Sequence, residues 1–218
     1  NKALPLAGNY NIAFDQLEIF TRKSKKITKS DLYSVNKIKK LNGSLASVVK
    51  GDLKKIVLKR KKIAGLDFNV PQIIGVLNVT PNSFSDGGLY FKESKAKAQS
   101  KLMIKSGAAI IDIGGESTKP GSKTIHELHE WKRVKNIIIK LKKNFPKIIL
   151  SLDTRKSYVM EKGIEKGINI INDVSGLNFD KKSLEIIKSK KIPLILHHMQ
   201  GTPNTMQINP RYDDALLD

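Results

Sequence analysis

Cysteine is absent from the 218 residues, which removes disulfide staples and thiolate chemistry from consideration. Long apolar runs are missing too: nowhere do about 18 uncharged apolar residues follow one another, so no membrane-spanning helix and no membrane partner are expected. The N-terminal "NKALPLAGNYNIAF" lacks the apolar core of a secretory signal, and a cytoplasmic protein fits these absences. Arginine is scarce, occurring only at positions 22, 60, 133, 155 and 211, and acidic residues number 20 against 40 Lys and Arg. The net charge of +20 invites a nucleic-acid reading. Phosphate and base readers exploit the planar fork of Arg, whereas here nearly all the positive charge is Lys, scattered with Ile and Asn along the chain. No specific nucleic-acid partner is therefore expected, although such a field draws in an anionic small substrate.

What is present falls into two textures. Residues 1–70, with "TRKSKKITKSD" and "KKIVLKRKK", show weak apolar periodicity and read as a small appended segment. Within it, Ala13–Phe20 reads as a short strand. Lys54–Lys62 reads as a lysine-flanked strand around Ile56, Val57 and Leu58, since Lys protects exposed sheet edges. From Pro71 to Asp218 the pattern is regular. Apolar runs at Ile73–Val79, Ala109–Ile113, Ile148–Leu152, Ile168–Ile171 and Pro193–Leu196 alternate with helical stretches. In one of these, Ile125–Lys143, the residues Leu128, Trp131, Val134, Ile138 and Leu141 recur at spacings of three and four and mark one buried face. Ser157–Lys166 and Lys181–Lys190 predict shorter helices. Near-continuously apolar strands alternating with helices imply a parallel sheet covered by helices.

Each apolar run ends in polar residues. Asn78 closes the first, Asp112 lies near the end of the second, and Asp153 follows the third. Asn172 and Asp173 follow the fourth, and His197 and His198 the fifth. In a (β/α)₈ barrel the C-terminal strand ends converge on one catalytic face. A doubly wound sheet concentrates its ligands at one switch point, and no G-x-G-x-x-G follows the first strand. Consecutive polar strand ends therefore predict an α/β chain of TIM-type (β/α)₈ barrel class, with the first five β/α units present in residues 71–218.

"GVLNVTPNSFSDGG" (75–88), "AAIIDIGGESTKPG" (108–121), "LSLDT" (150–154), "INIINDVSG" (168–176) and "HMQGTPNTMQ" (198–207) occur in this order. Together they closely resemble the dihydropteroate synthases, pterin-binding barrel enzymes of folate biosynthesis. The resemblance implies condensation of 6-hydroxymethyl-7,8-dihydropterin pyrophosphate with p-aminobenzoate, with Mg²⁺ as the cofactor. It implies that Asn78 helps to bind the metal and the pyrophosphate, and that Asp153 and Asn172 recognise the pterin ring. Phe84 would cover p-aminobenzoate and Asp86 would stabilise the cation developing on the pterin methylene. Thr118, Lys119 and Pro120 would border the p-aminobenzoate pocket, where sulfonamides would compete. The resemblance also implies a homodimer.

Three residues depart from the family pattern: Asn82 stands where Asp is usual, Lys119 where Arg is usual, and His197 where Met is common. Lys119 keeps charge but loses the planar fork, and His197 places a titratable ring beside the pterin pocket. "HELHE" (126–130) is not H-E-x-x-H, and His126 and His129 read as solvated. The family's sixth-, seventh- and eighth-strand segments, which carry a pterin-binding Asp, a pterin-contacting Lys and an anion-binding Arg, have no counterpart. "TRKSKK" (21–26) echoes one of them only superficially. Independent catalysis by these 218 residues is accordingly not expected. Pterin-dependent methyl transfer on a related barrel, and a non-catalytic pterin-binding remnant should the chain end at Asp218, are the alternatives.

Overall fold

The computed structural model describes residues 3–22, 28–80, 89–117 and 122–213. The chain divides into two compact units, Gln72–Arg211 and Asn1–Pro71 together with the residues from Tyr212 onward. In the first 71 residues, β1 (Leu4–Leu6) pairs antiparallel with β2 (Asn9–Phe14), and β3 (Gln16–Arg22) with β4 (Thr28–Ser34). Helices α1 (Val35–Lys39) and α2 (Ser44–Val57) follow. The single strand expected over Ala13–Phe20 is thus two, broken at Asp15, whose carbonyl accepts from Val35 N–H at 2.9 Å.

The strand expected within Lys54–Lys62 is instead the end of α2. Its β-prone Ile56 and Val57 are overridden by a helical stripe of Ala46, Val49 and Leu53, buried three and four residues apart. Val49 and Leu53 pack with Ile38 and are flanked by Leu4, Phe14, Leu17 and Val57. Tertiary burial of an amphipathic face outweighs a local β preference of well under 1 kcal/mol per residue, as order-of-magnitude propensities allow.

The second unit is built from β5 (Ile73–Asn78), α3 (Leu89–Lys105), β6 (Ala108–Gly114), α4 (Glu127–Asn144), β7 (Ile149–Asp153), α5 (Ser157–Glu165), β8 (Ile170–Asp173), α6 (Ser183–Lys190) and β9 (Leu194–Leu196). The five strands are parallel and ordered β5-β6-β7-β8-β9. A doubly wound sheet reverses its strand order at a switch point; here each strand lies beside its predecessor throughout, as in the α/β barrel class.

One sheet face carries Leu77, Ile113, Leu152 and Ile171, which are direct neighbours in register. With Ile111 and Leu150 they form a single core with Ala96 of α3, Val134, Ile138 and Leu141 of α4, Val159 and Met160 of α5 and Ile187 of α6. The helices therefore cover this face. The opposite face carries Val76, which is 55% exposed, and the polar strand ends. Because side chains alternate along a strand, Asn78, Asp112, Asp153 and Asn172 share the face opposite the helices, with Val76, Ile110 and Ile170 among them.

Helix α4 corrects one detail. Leu128 is 52% exposed, and the buried face is Glu130, Val134, Ile137, Ile138 and Leu141. His126 is the helix N-cap, its Nδ1 accepting from Leu128 N–H at 3.3 Å. His126 and His129 are both exposed.

Helix α5 meets the sheet at Gly163, where an added Cβ would lie 2.4 Å from Leu152 Cδ2 and 3.3 Å from Ile168 Cγ1. Leu152 is fully buried, so the overpacking, about 1–3 kcal/mol, exceeds the roughly 1 kcal/mol that Ala gains over Gly in a helix. Gly163→Ala is expected to lower the urea midpoint of this unit; an unchanged or higher midpoint would contradict the packing.

Candidate active site

Parallel pairing sets Asn78 opposite Gly114, Gly114 opposite Asp153, and Asp153 opposite Asn172. The C-terminal strand ends thus bring three of the expected site residues to one level of the face opposite the helices, across four adjacent strands. Gly114 matters through what it lacks. A Cβ there would lie 3.1 Å from Asn78 Oδ1 and 3.4 Å from Asp153 Oδ2, so the missing side chain lets an amide oxygen and a carboxylate oxygen face the same small space.

One layer below, Val76, Asp112, Ser151 and Ile170 are neighbours in register. Asp112 Oδ2 accepts from Asn172 Nδ2 at 2.9 Å, which orients the amide and leaves Asn172 Oδ1 as an acceptor. His197, the first residue after β9, meets that oxygen through Nε2 at 2.7 Å. Since Oδ1 can only accept, Nε2 carries the proton. The polar chain His197–Asn172–Asp112 therefore runs from the site's edge to its floor.

Two atoms of that floor, Asp112 Oδ1 and the Ser151 hydroxyl, are buried with no hydrogen-bond partner among the described residues. A buried polar atom left so costs about 1–3 kcal/mol, which a water or a polar ligand relieves. Asp153 is pushed up to about 7, first by burial and then by the nearby Asp112, Glu130, Asp173 and Glu116 carboxylates. A carboxyl that titrates near neutrality at a strand end is a recognised sign of a functional group.

Phe84 and Asp86, with Asn82, and Thr118, Lys119 and Pro120 lie outside the described residues. Among the described residues no group of three or more His, Asp or Glu side chains is arranged to hold a metal. His198 follows His197 beyond the strand and does not combine with it in such a group.

Sequence reasoning missed an ionic cluster at the same end of the sheet. Arg155 donates from Nε to Glu116 Oε2 at 2.9 Å and from a terminal guanidinium nitrogen to Thr124 Oγ1 at 3.0 Å. Lys156 Nζ bridges Glu116 Oε1 at 2.9 Å and Glu130 Oε2. The Arg155 guanidinium also lies 4.0 Å from the centre of the Phe179 ring. All four charged residues are buried, Glu130 completely.

Burial tends to raise the Glu116 carboxyl, but Arg155, Lys156 and the Ile125 N–H together hold it below the usual range. For Glu130 burial prevails, and its carboxyl lies above the usual range despite Lys156. The one available signal was Glu130 itself, an acidic residue on the apolar stripe of α4.

Gly115 fits the same region: a Cβ would lie 2.8 Å from Val134 Cγ1 and 3.0 Å from Glu130 Cγ. The two glycines of "GGEST" thus serve separate purposes, one admitting the site oxygens and the other admitting α4.

A family model described as pterin binding enzyme matches residues 74–218. The chain is 42% identical over 153 residues to the dihydropteroate synthase of Haemophilus influenzae, covering 70% of this chain and 55% of that protein. It is 44% identical over 156 residues to that of Neisseria meningitidis serogroup B, covering 70% and 53%. Among solved structures, the Yersinia pestis dihydropteroate synthase with a sulfonamide drug complex superposes with a TM-score of 0.63 at 41% identity, covering 69% of this chain and 54% of that one. The chain spans about half the length of the relatives it matches.

Proposed function

The chain belongs to the pterin-binding enzyme family, and we propose from this that the whole protein is a dihydropteroate synthase. It condenses 6-hydroxymethyl-7,8-dihydropterin pyrophosphate with p-aminobenzoate to 7,8-dihydropteroate and pyrophosphate. The observation that carries the reading is the shared level of Asn78, Asp153 and Asn172 around the space left by Gly114. Identity above 40% to two curated dihydropteroate synthases supports it.

In this reading Asp153 accepts hydrogen bonds from the donor-rich edge of the pterin. Asn172, oriented by Asp112, offers its carbonyl oxygen beside it. The C–O bond to pyrophosphate breaks as positive character develops on the pterin methylene, the aryl amine nitrogen attacks that carbon, and the amine loses a proton. Positioning and charge stabilisation carry such a step. Phe84, Asp86, Thr118, Lys119 and Pro120 keep the roles that the family resemblance implies, with p-aminobenzoate bordered by the last three and open to sulfonamide competition. His197 borders the pterin through its contact with Asn172.

Mg²⁺ fits the donor set. Mg²⁺ keeps several waters and is commonly bound through one or two carboxylates together with substrate phosphates; here the amide oxygen of Asn78, a hard neutral ligand beside the Gly114 space, would stand in a carboxylate's place. Asn78 would hold the ion, which when bound neutralises the departing pyrophosphate. The protein is further proposed to be a cytoplasmic homodimer without a nucleic-acid or membrane partner; among the described residues no helix is long and apolar enough to cross a membrane.

The test is pyrophosphate release by the full-length protein, with and without p-aminobenzoate. Release that requires p-aminobenzoate and stops on chelation of Mg²⁺ is expected. Methyl transfer from a methylated folate, or pterin binding without turnover, would replace this reading with one of its alternatives.

A further inference from the structure

The side-chain amide of Asn172 is held at both ends. Its Nδ2 donates to Asp112 Oδ2 at 2.9 Å on the floor of the site, and its Oδ1 accepts from His197 Nε2 at 2.7 Å at the edge. A primary amide has two hydrogens on nitrogen and two lone pairs on oxygen. With one of each committed among the described residues, Asn172 keeps one donor and one acceptor, side by side, for a ligand.

The seat of His197 is itself built. His197 is the first residue after β9, and its N–H donates to the carbonyl of Asp173 at 3.3 Å. Asp173, fully buried, ties down the loop that follows it. Its Oδ1 accepts from the Ser175 N–H at 2.8 Å and the Ser175 hydroxyl at 2.7 Å, and its Oδ2 accepts from the Leu177 N–H at 3.0 Å. That loop turns at Gly176, with φ of +60°, where an added Cβ would lie 2.6 Å from the His197 carbonyl oxygen. A residue without a Cβ lets the loop press this closely on the His197 backbone. The segment that follows Asn172 in the chain therefore also seats the residue that grips its amide.

We propose that His197 is a positioning residue that fixes the plane of the Asn172 amide, so that the site selects a ligand edge carrying an acceptor beside a donor. The proposal rests on the reading of this site as the pterin site of a dihydropteroate synthase. Pterins present such edges, where a ring nitrogen with a lone pair adjoins an N–H or amino group. His197 acts through Asn172 and not on the ligand. Asp112 alone leaves the amide free to swing about one hydrogen bond. The second bond, at the opposite end, removes that freedom before the ligand arrives, and affinity gains by the ordering already done.

Two variants of the full-length protein test the assignment. His197→Met removes the donor, and His197→Gln restores an N–H at similar reach. The Kd for the pterin pyrophosphate is expected to rise about fivefold in His197→Met, the net worth of one hydrogen bond, and to stay within about twofold of wild type in His197→Gln. The urea midpoint of His197→Met should match wild type, because the side chain is exposed. Its KM for p-aminobenzoate should stay within about twofold, because the substitution leaves that substrate's contacts in place.

An unchanged pterin Kd in His197→Met would overturn the proposal. So would an equal loss in His197→Gln, which would put the imidazole on the ligand itself, or a rise in Kd matched by a fallen urea midpoint. If the wild-type protein binds the pterin without p-aminobenzoate-dependent release, the functional reading falls and the same Kd comparison still decides the role of His197. If it binds no pterin, crystal structures of wild type and His197→Met decide it. An Asn172 amide that turns without His197 upholds the assignment, and one that keeps its place overturns it.

Discussion

Lys156→Met is expected to destabilise the strand-and-helix unit by about 3–5 kcal/mol, the range for removing one partner of a buried ion pair. Lys156 is the cation shared by Glu116 and Glu130. Glu130 is completely buried, and its second oxygen already has no partner among the described residues. Without Lys156 the Glu130 carboxylate loses its counter-ion inside the protein, while Glu116 keeps Arg155.

The penalty has a defined pH dependence. It is largest where Glu130 is forced to ionise and shrinks as pH falls and the carboxyl takes up a proton, because a neutral carboxyl is cheaper to bury. The double variant Lys156→Met, Glu130→Met should recover most of the loss, since apolar residues of similar volume replace buried pairs with little cost. Urea denaturation of the three proteins at pH 5 and pH 8 measures both effects. A Lys156→Met midpoint within error of wild type at pH 8 would mean that the pair is not buried as described.

Asp153→Asn is expected to weaken binding of the pterin pyrophosphate by about 100-fold, through loss of charge-assisted hydrogen bonds of about 1.5–3 kcal/mol. The amide that replaces the carboxylate also presents donors to a donor-rich ligand edge. In the wild-type protein Asp153 titrates at about 7. The ionised form is the one that accepts from the ligand, so wild-type affinity should rise with pH through that value and level off above it. The Asn variant should show no such rise. Isothermal titration from pH 5.5 to 8.5 reads both, and parallel profiles for the two proteins would remove Asp153 from pterin recognition.

Stability should move in the opposite direction. The folded-state pKa of Asp153 is raised from 3.8 to about 7, so the folded state is favoured by the proton. This contribution is fully present below about 3.8 and is lost as pH rises through about 7. Asp153→Asn should therefore match the wild type near pH 4 and exceed it at pH 8. The gain has a ceiling of about 4 kcal/mol for a shift of this size, and less for a side chain that is only half-buried. A gain in stability accompanied by a loss of affinity separates a functional carboxylate from a structural one.

The two units differ in how much of them was legible. In Gln72–Arg211 each strand core is a run of Ile, Leu and Val whose alternate side chains meet helices, and the run and its polar ending were both visible in the chain. In α2 the local signal misled. Ile56, Val57 and Leu58 read as a strand, while the burial of Val49 and Leu53 against Ile38, Leu17 and Phe14 drew the segment into a helix. That burial depends on residues up to 39 positions away, and no local window contains them.

What the sequence determined by itself was the order of apolar runs and polar endings, and hence that Asn78, Asp153, Asn172 and His197 lie at the ends of the first, third, fourth and fifth strands of the parallel sheet. Chain connectivity and the two-residue period of a strand suffice for that. Only the tertiary structure decided which atoms face one another: Asn172 turned toward Asp112 60 residues away, and His197 toward Asn172 25 residues away. It alone placed Arg155 on Glu116, 39 residues apart, and Lys156 on Glu130, 26 apart. The reason is physical. Burial changes the worth of a charge by several kcal/mol, and burial is a property of the assembled layers, which a linear order of residues does not contain.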